Sequence, residues 1–339
     1  IASFAGAFSE ARVACTSAAR RSMAAAFGEQ ARALLGVDSW LAMHQLFATT
    51  QIALILGGNE DKDHMRICHV PLCGDLIVED VVDVELADAD LPEEGGWYQE
   101  HSVAFMGGFF YATNDCDGEP ALFEYNPFTA RWTECTAPPR DEGTFKLAAF
   151  GRTLVISGGY DSSRVDQFEP VTDTWTSLPP MQHARYGHGA VEYQGCLYVA
   201  GGNMGGPGPV NRLRTVERFT PGEGWQQLNP LTMDRDDCNL TVVAGCLMAV
   251  GDVSSNAHTS IERFDLQTKT WTLIYNEGLP TCRCPAIGAG DRLYIFAQHA
   301  AGRCMRVSAT DGAINEEEKC IMDDFELYES LQHGEQFDD

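Results

Sequence analysis

The residues in this chain that could do chemistry are few, and most lack the partners that chemistry would need. The run DKDHMRICHVPLC brings Asp61, Asp63, His64, Cys68, His69 and Cys73 together. His64-x3-Cys68 with His69-x3-Cys73 offers ligand types that zinc accepts. No tight Cys-x2-Cys knuckles anchor it, and strand alternation through residues 65–70 would send Cys68 and His69 to opposite faces. Cys282-x-Cys284 supplies only two sulfurs, with Arg283 between them, so free thiols are expected there. No Gly-x-Ser-x-Gly occurs, and His183 and His188 flank Arg185 and Tyr186 in a stretch that reads as a loop. Histidines so placed are expected to be structural or contact residues. The run GGNMGGPG at 201–208 precedes no helix carrying a Lys, so it reads as a flexible loop and not as a phosphate cradle. The expectation is a protein with no catalytic residues, no metal and no cofactor.

The elements that must position these residues form an array. Residues 153–179, TLVISGGYDSSRVDQFEPVTDTWTSLP, read as a strand, a Gly pair, a short loop, a second strand and a Trp. Residues 153–157 are apolar enough to be covered on both faces, as in a central strand. Gly158 and Gly159 allow positive φ and close backbone approach, residues 161–163 are turn formers, and Trp175 supplies a flat ring to pack between sheets. Aligned on the Gly pair, the pattern returns as IALILGG (52–58), FYATND (110–115), LYVAGG (197–202), LMAVGD (247–252) and LYIFAQ (293–298). Second strands follow as VVDVEL (81–86), LFEYNP (122–127), VDQFEP (165–170), VERFTP (216–221) and IERFDL (261–266). Trp97, Trp132, Trp175, Trp225 and Trp271 are then separated by 35, 43, 50 and 46 residues. One Trp and four short strands per unit of that length predict a β-propeller.

Charge narrows the partners. The chain of 339 residues carries 23 Lys and Arg against 49 Asp and Glu, a formal net charge of −26, which disfavours nucleic acid and anionic membranes. A partner with a basic or mixed-charge motif fits better. The twelve Cys are scattered without a compact framework, which predicts a reducing compartment and a cytoplasmic location. No apolar run reaches membrane-helix length, and the N-terminal stretch, lacking a clean apolar block, is not expected to be a signal peptide. The sequence begins with Ile1, which suggests processing or a longer parent.

Residues 1–48 are Ala-rich and without Pro, and Met23, Phe27, Ala31 and Leu34 fall at helical spacing, so a short α-helical segment is expected ahead of the strands. An acidic tail is expected over 332–339.

The repeat resembles the kelch motif. The resemblance rests on the Gly pairs at 57–58, 158–159 and 201–202, the Glu-Arg-Phe triplets at 217–219 and 262–264, the five Trp, and a unit-ending Arg at 140, 185, 235 and 283. It covers roughly residues 50–325 and implies an all-β fold, a six-bladed propeller over 49–331. The first unit departs through its insertion at 59–80, and the sixth lacks both the Gly pair and the Trp. Either residues 46–52 or 325–331 could close the ring. More weakly, residues 18–47 resemble part of a BACK domain, the helical module between BTB and kelch domains of ubiquitin-ligase adaptors.

In propellers of this kind the loops after the Gly pairs and after the unit-ending Arg share one face, and binding residues concentrate on such loops. The resemblance therefore implies a partner-binding set of Arg140, Asp141, Tyr160, Asp161, Arg185, Tyr186, His188, Asn203, Arg235, Asp236, Asp252, Arg283 and His299. Arginine and aromatic anchors would supply most of the affinity. The alternative is that several of these Arg pair with acidic neighbours and only hold the loops. The function implied is substrate recognition in a BTB-kelch adaptor, with a cullin scaffold engaged through a domain not in this chain. The other readings are a structural protein associated with actin or the cytoskeleton, and a kelch-type oxidase, for which no Tyr and His ligand set is evident.

Overall fold

The computed structural model describes residues 50–56, 64–71, 81–85, 102–106, 109–114, 120–126, 131–140, 143–205, 211–253, 258–279, 286–289, 291–296, 304–308 and 314–315. The expected helices at 1–48 and the acidic tail lie outside these residues.

The described chain is all β and forms a propeller. Its first sheet has three strands in the order β1-β2-β3: β1 (Thr50–Leu56), β2 (His64–Pro71) and β3 (Val81–Glu85). Five antiparallel four-stranded meanders follow. The second sheet holds β4 (Val103–Met106), β5 (Phe109–Asn114), β6 (Ala121–Asn126) and β7 (Arg131–Glu134). The third holds β8 (Lys146–Phe150), β9 (Thr153–Ser157), β10 (Val165–Glu169) and β11 (Thr174–Leu178). The fourth holds β12 (Gly189–Tyr193), β13 (Cys196–Ala200), β14 (Val216–Thr220) and β15 (Gly224–Leu228). The fifth holds β16 (Arg235–Val243), β17 (Cys246–Val253), β18 (His258–Asp265) and β19 (Thr270–Leu279). The sixth holds β20 (Ala286–Ala289), β21 (Arg292–Phe296), β22 (Cys304–Ser308) and β23 (Ile314–Asn315). The inner strands β4, β8, β12, β16 and β20 lie side by side in chain order, and β1 lies against β20.

Six complete blades were expected, and among the described residues five four-stranded blades are found. The difference lies in the first unit. Its two aligned strands, β1 and β3, do not pair with each other; β2, supplied by the insertion, stands between them, with Cys68 opposite both Ala53 and Val81. The alternation of residues 65–70 that argued against a metal knuckle is also what lets the segment act as a strand.

Blade geometry follows from residue type. The second strand of the third and fourth sheets is buried on both faces, as Leu154, Val155 and Ile156 and then Leu197, Val199 and Ala200 show. The outer strands β11 and β15 are half-exposed. Inner hairpins close with two-residue loops: Gln194 (φ 53) with Gly195 (φ 74), and Ala244 (φ 49) with Gly245 (φ 76), the paired positive φ that matches strand twist.

Apolar packing is divided into layers between successive blades. Met106, Tyr111 and Leu122 meet Leu147, Leu154, Ile156 and Phe168 in one such layer. Val155 and Val165 meet Leu197, Val199 and Phe219 in the next. Each of the four described repeat Trp finishes its layer against the aromatic of the adjacent strand, Tyr125 with Trp132 at 5.1 Å, Phe168 with Trp175 at 4.9 Å, Phe219 with Trp225 at 5.3 Å and Phe264 with Trp271 at 4.9 Å between centroids. Three of these indoles also donate to the preceding connection: Trp175 Nε1 to Thr136 O (2.8 Å), Trp225 Nε1 to Pro179 O (2.7 Å) and Trp271 Nε1 to Asn229 O (3.1 Å). The recurring Trp is thus a clasp between blades.

Candidate protein-binding face

The unit-ending arginines were expected on the surface, as anchors for a partner. Three of them are inside. Arg185 and Arg235 are fully buried and Arg140 is 7% exposed. Each reaches from the segment entering its blade to an acid on the third strand. Arg185 Nη2 donates to Glu217 Oε1 at 2.6 Å and Nη1 to Gly201 O at 2.8 Å. Arg235 Nη2 donates to Glu262 Oε1 at 2.9 Å and to Ser260 Oγ at 2.8 Å, while Nη1 donates to Ser260 O at 2.8 Å and Gly251 O at 3.0 Å. Arg140 Nε donates to Asp166 Oδ2 at 2.9 Å and Nη1 donates to Gly158 O.

The acids do more than neutralise. Glu217 accepts from the backbone of Gln182 (2.6 Å) and His183 (3.2 Å), and Glu262 from the backbone of Thr232 (2.7 Å). Arginine and acid together close the inter-blade connection and remove their own charge from the surface. Burial pulls the Arg185 pKa below its ordinary value, and Glu217 works against that pull. The reading of Arg140, Arg185 and Arg235 as partner anchors is therefore replaced by the alternative, internal pairing.

The Gly pairs make room for this device. A Cβ on Gly158 (φ 72) would stand 2.0 Å from Arg185 O, and one on Gly202 (φ 91) 2.5 Å from Tyr186 O. At Gly158 the segment entering the next blade occupies that space and at Gly202 the segment entering its own blade does, while each pair also bonds to the next unit: Gly159 N donates to Arg185 O at 2.9 Å and Gly202 N to Arg235 O at 2.7 Å.

The remaining predicted residues divide. Tyr160, Asp161, Tyr186, Asn203 and Asp236 come together as a belt across three blades. The rings of Tyr160 and Tyr186 stand 5.6 Å apart at 35°, and Tyr160 is 53% exposed. Tyr186 and Asn203 exchange backbone hydrogen bonds at 2.8 Å, and Asn203 bridges in turn to Arg212. Asp236 Oδ2 accepts from Asn203 Nδ2 and from Arg212 Nε, each at 3.4 Å.

His188 is buried behind this belt, its Nε2 2.8 Å from Ser157 Oγ, and its Nδ1 has no partner among the described residues. Burial first, then the charges of Arg185, Lys146 and Arg140, hold its pKa well below the ordinary 6.5. Lys146, on the inner strand β8, is pulled down by burial against the opposing influence of Cys238 and Asp237. Burial pushes the Cys238 thiol up to about 11.

Asp252 is not in a loop: it lies in β17, its backbone opposite Asp236 and Thr259. Asp141, Arg283 and His299 lie outside the described residues, as do Cys282 and Cys284. Among the described residues no group of three or more His, Cys, Asp or Glu is arranged to hold a metal, and no helix is long and apolar enough to cross a membrane. Sequence reasoning missed Arg212, which has no place in the repeat. It also missed the roles of Asp166, Glu217 and Glu262, although an acid recurring two positions before a buried Phe was a visible signal.

Comparison with known proteins agrees with this architecture. The kelch motif model matches residues 144–182 and 184–231. Kelch-like protein 36 of Rattus norvegicus is 26% identical over 195 residues, covering 51% of this chain and 31% of its own length. Kelch-like protein 35 of Mus musculus is 29% identical over 159 residues, covering 45% and 27%. Kelch-like protein 25 of Homo sapiens is 24% identical over 233 residues, covering 51% and 39%. The chain thus matches about a third of the length of these relatives. The solved structure of YjhT shares the fold with a TM-score of 0.61 at 12% identity, over 79% of this chain and 97% of that one. Repeated Gly pairs, buried arginine–acid pairs, inter-blade Trp clasps and these matches make the chain a β-propeller that carries kelch motifs and is similar to kelch-like proteins.

Proposed function

We propose that this propeller is a protein-interaction module without catalysis of its own, the substrate-recognition part of a BTB-kelch adaptor for a cullin-type ubiquitin ligase, working in the cytoplasm. The observation that carries the reading is the belt joining Tyr160, Tyr186, Asn203 and Asp236 across three blades. It offers a stacked, half-exposed aromatic pair on a rigid sheet framework, the kind of anchor on which protein interfaces concentrate their affinity. The similarity to kelch-like proteins supports the adaptor role, with the contact to a cullin sought outside residues 1–339.

On this reading the three-stranded sheet is the sixth blade; the position of β1 against β20 supports that placement. The extra strand β2 favours a second reading, in which the first sheet docks the protein to actin or another cytoskeletal structure. Quantitative affinity capture with the chain and with its Tyr160→Ser/Tyr186→Ser variant tests the face. Partners retained by the wild type and lost by the variant are expected; an unchanged set would overturn this location. A coding sequence upstream of Ile1 that lacks a BTB domain would remove the adaptor role.

A further inference from the structure

With Arg140, Arg185 and Arg235 withdrawn into the blades, the face loses the positive charge its sequence suggested. The described groups around the tyrosine step are Asp161, which is exposed, Asp236 and Asp237, which are half-buried, and the cation Arg212, at 25% side-chain exposure, while Lys146 lies within electrostatic reach of Asp237. Arg212 meets Asp236 only at 3.4 Å. Asp161 follows Tyr160 directly in the chain, and the Asp236 carboxylate stands beside Gly187, the residue after Tyr186. A Cβ on Gly205 would stand 3.3 Å from Tyr160 Cδ2 and 2.8 Å from Asp161 N, so the chain at Gly205 packs directly beside both residues. On the other side Gly187, next to Tyr186, would carry its Cβ 3.0 Å from Asp236 Oδ1 and 3.3 Å from Asp237 Oδ1.

We propose that the Tyr160–Tyr186 step, with Asp161 and Asp236 beside it, is a subsite for an arginine side chain of the protein partner. A planar guanidinium can lie on a tyrosine face and still donate to carboxylates at its rim, which a compact ammonium does less well. The net charge of −26 draws a basic segment to the chain but gives it no address; the tyrosines supply the address. This inference rests on the reading that the face binds protein, and it specifies what that protein presents.

The test uses fluorescence anisotropy with the 339-residue chain and three fluorescein-labelled Gly-Ser dodecapeptides carrying four Arg, four Lys or four Glu. The Arg peptide is expected to bind more tightly than the Lys peptide, and the Glu peptide least. Tyr160→Ser/Tyr186→Ser should weaken the Arg peptide about tenfold, the size expected for two exposed cation–π contacts. Asp161→Asn, which keeps a residue tolerant of the positive φ of 53, should weaken it several-fold at low salt. Tyr160→Phe, which keeps the ring, should bind like wild type and shows that the surface is intact. Association with net charge alone would leave the tyrosine variant at wild-type affinity, and that result would overturn the proposal. So would absence of Arg-peptide binding or preference for the Glu peptide. If the peptides show no arginine preference while affinity capture still depends on Tyr160 and Tyr186, the arginine subsite is wrong and the protein-binding face stands.

Discussion

At the scale of single residues, the side chains that most resemble surface chemistry have been drawn into the fold. His188 is the clearest titrating case. Its folded pKa lies well below 6.5, so at acidic pH the unfolded chain binds a proton that the folded chain refuses. Its share of stability is whole above pH 6.5 and is lost as pH falls from there toward the folded value. Urea midpoints should therefore drop between pH 7.5 and 5.5, and His188→Gln should remove part of that drop. An identical pH difference in wild type and variant would show that His188 is not the group concerned. The burial of the arginines was hardest to read from the chain alone, because an isolated Arg is by default a surface residue. Only its pairing with an acid some 26 to 32 residues later reveals it, and that distance is bridged by tertiary structure.

At the scale of elements, the repeat was legible wherever local chemistry set it. Buried second strands, Gly pairs and Trp appear as read in the third and fourth sheets, because each is dictated by neighbours at fixed offsets in the next repeat. The first sheet was not legible in the same way. Residues 64–71 contain no feature of the repeat, so nothing local showed that they would separate β1 from β3. The glycines give a test of the repeat's logic. Gly158 and Gly222 both have positive φ, 72 and 83, but a Cβ meets Arg185 O at 2.0 Å at Gly158 and open space at Gly222. Gly222→Ala should cost only the conformational penalty, about 1–2 kcal/mol. Gly158→Ala must in addition push one blade from the next, and its melting temperature should fall clearly further. Equal melting temperatures would mean that the inter-blade contact at Gly158 yields without cost.

At the scale of the molecule, an array of blades held by clasps and internal ion pairs leaves its connecting loops free for recognition. The aromatic step and its carboxylates sit where three blades meet, so their geometry is fixed by those blades together. Arg140, Arg185 and Arg235 thus belong to the framework and the tyrosines to the surface. The most direct test of that division is urea unfolding of Arg235→Ala. Removing one member of a buried, hydrogen-bonded ion pair leaves Glu262 uncompensated and should cost about 3–5 kcal/mol, seen as a large fall in the unfolding midpoint. A variant that unfolds at the wild-type midpoint would contradict the account and return Arg235 to the surface.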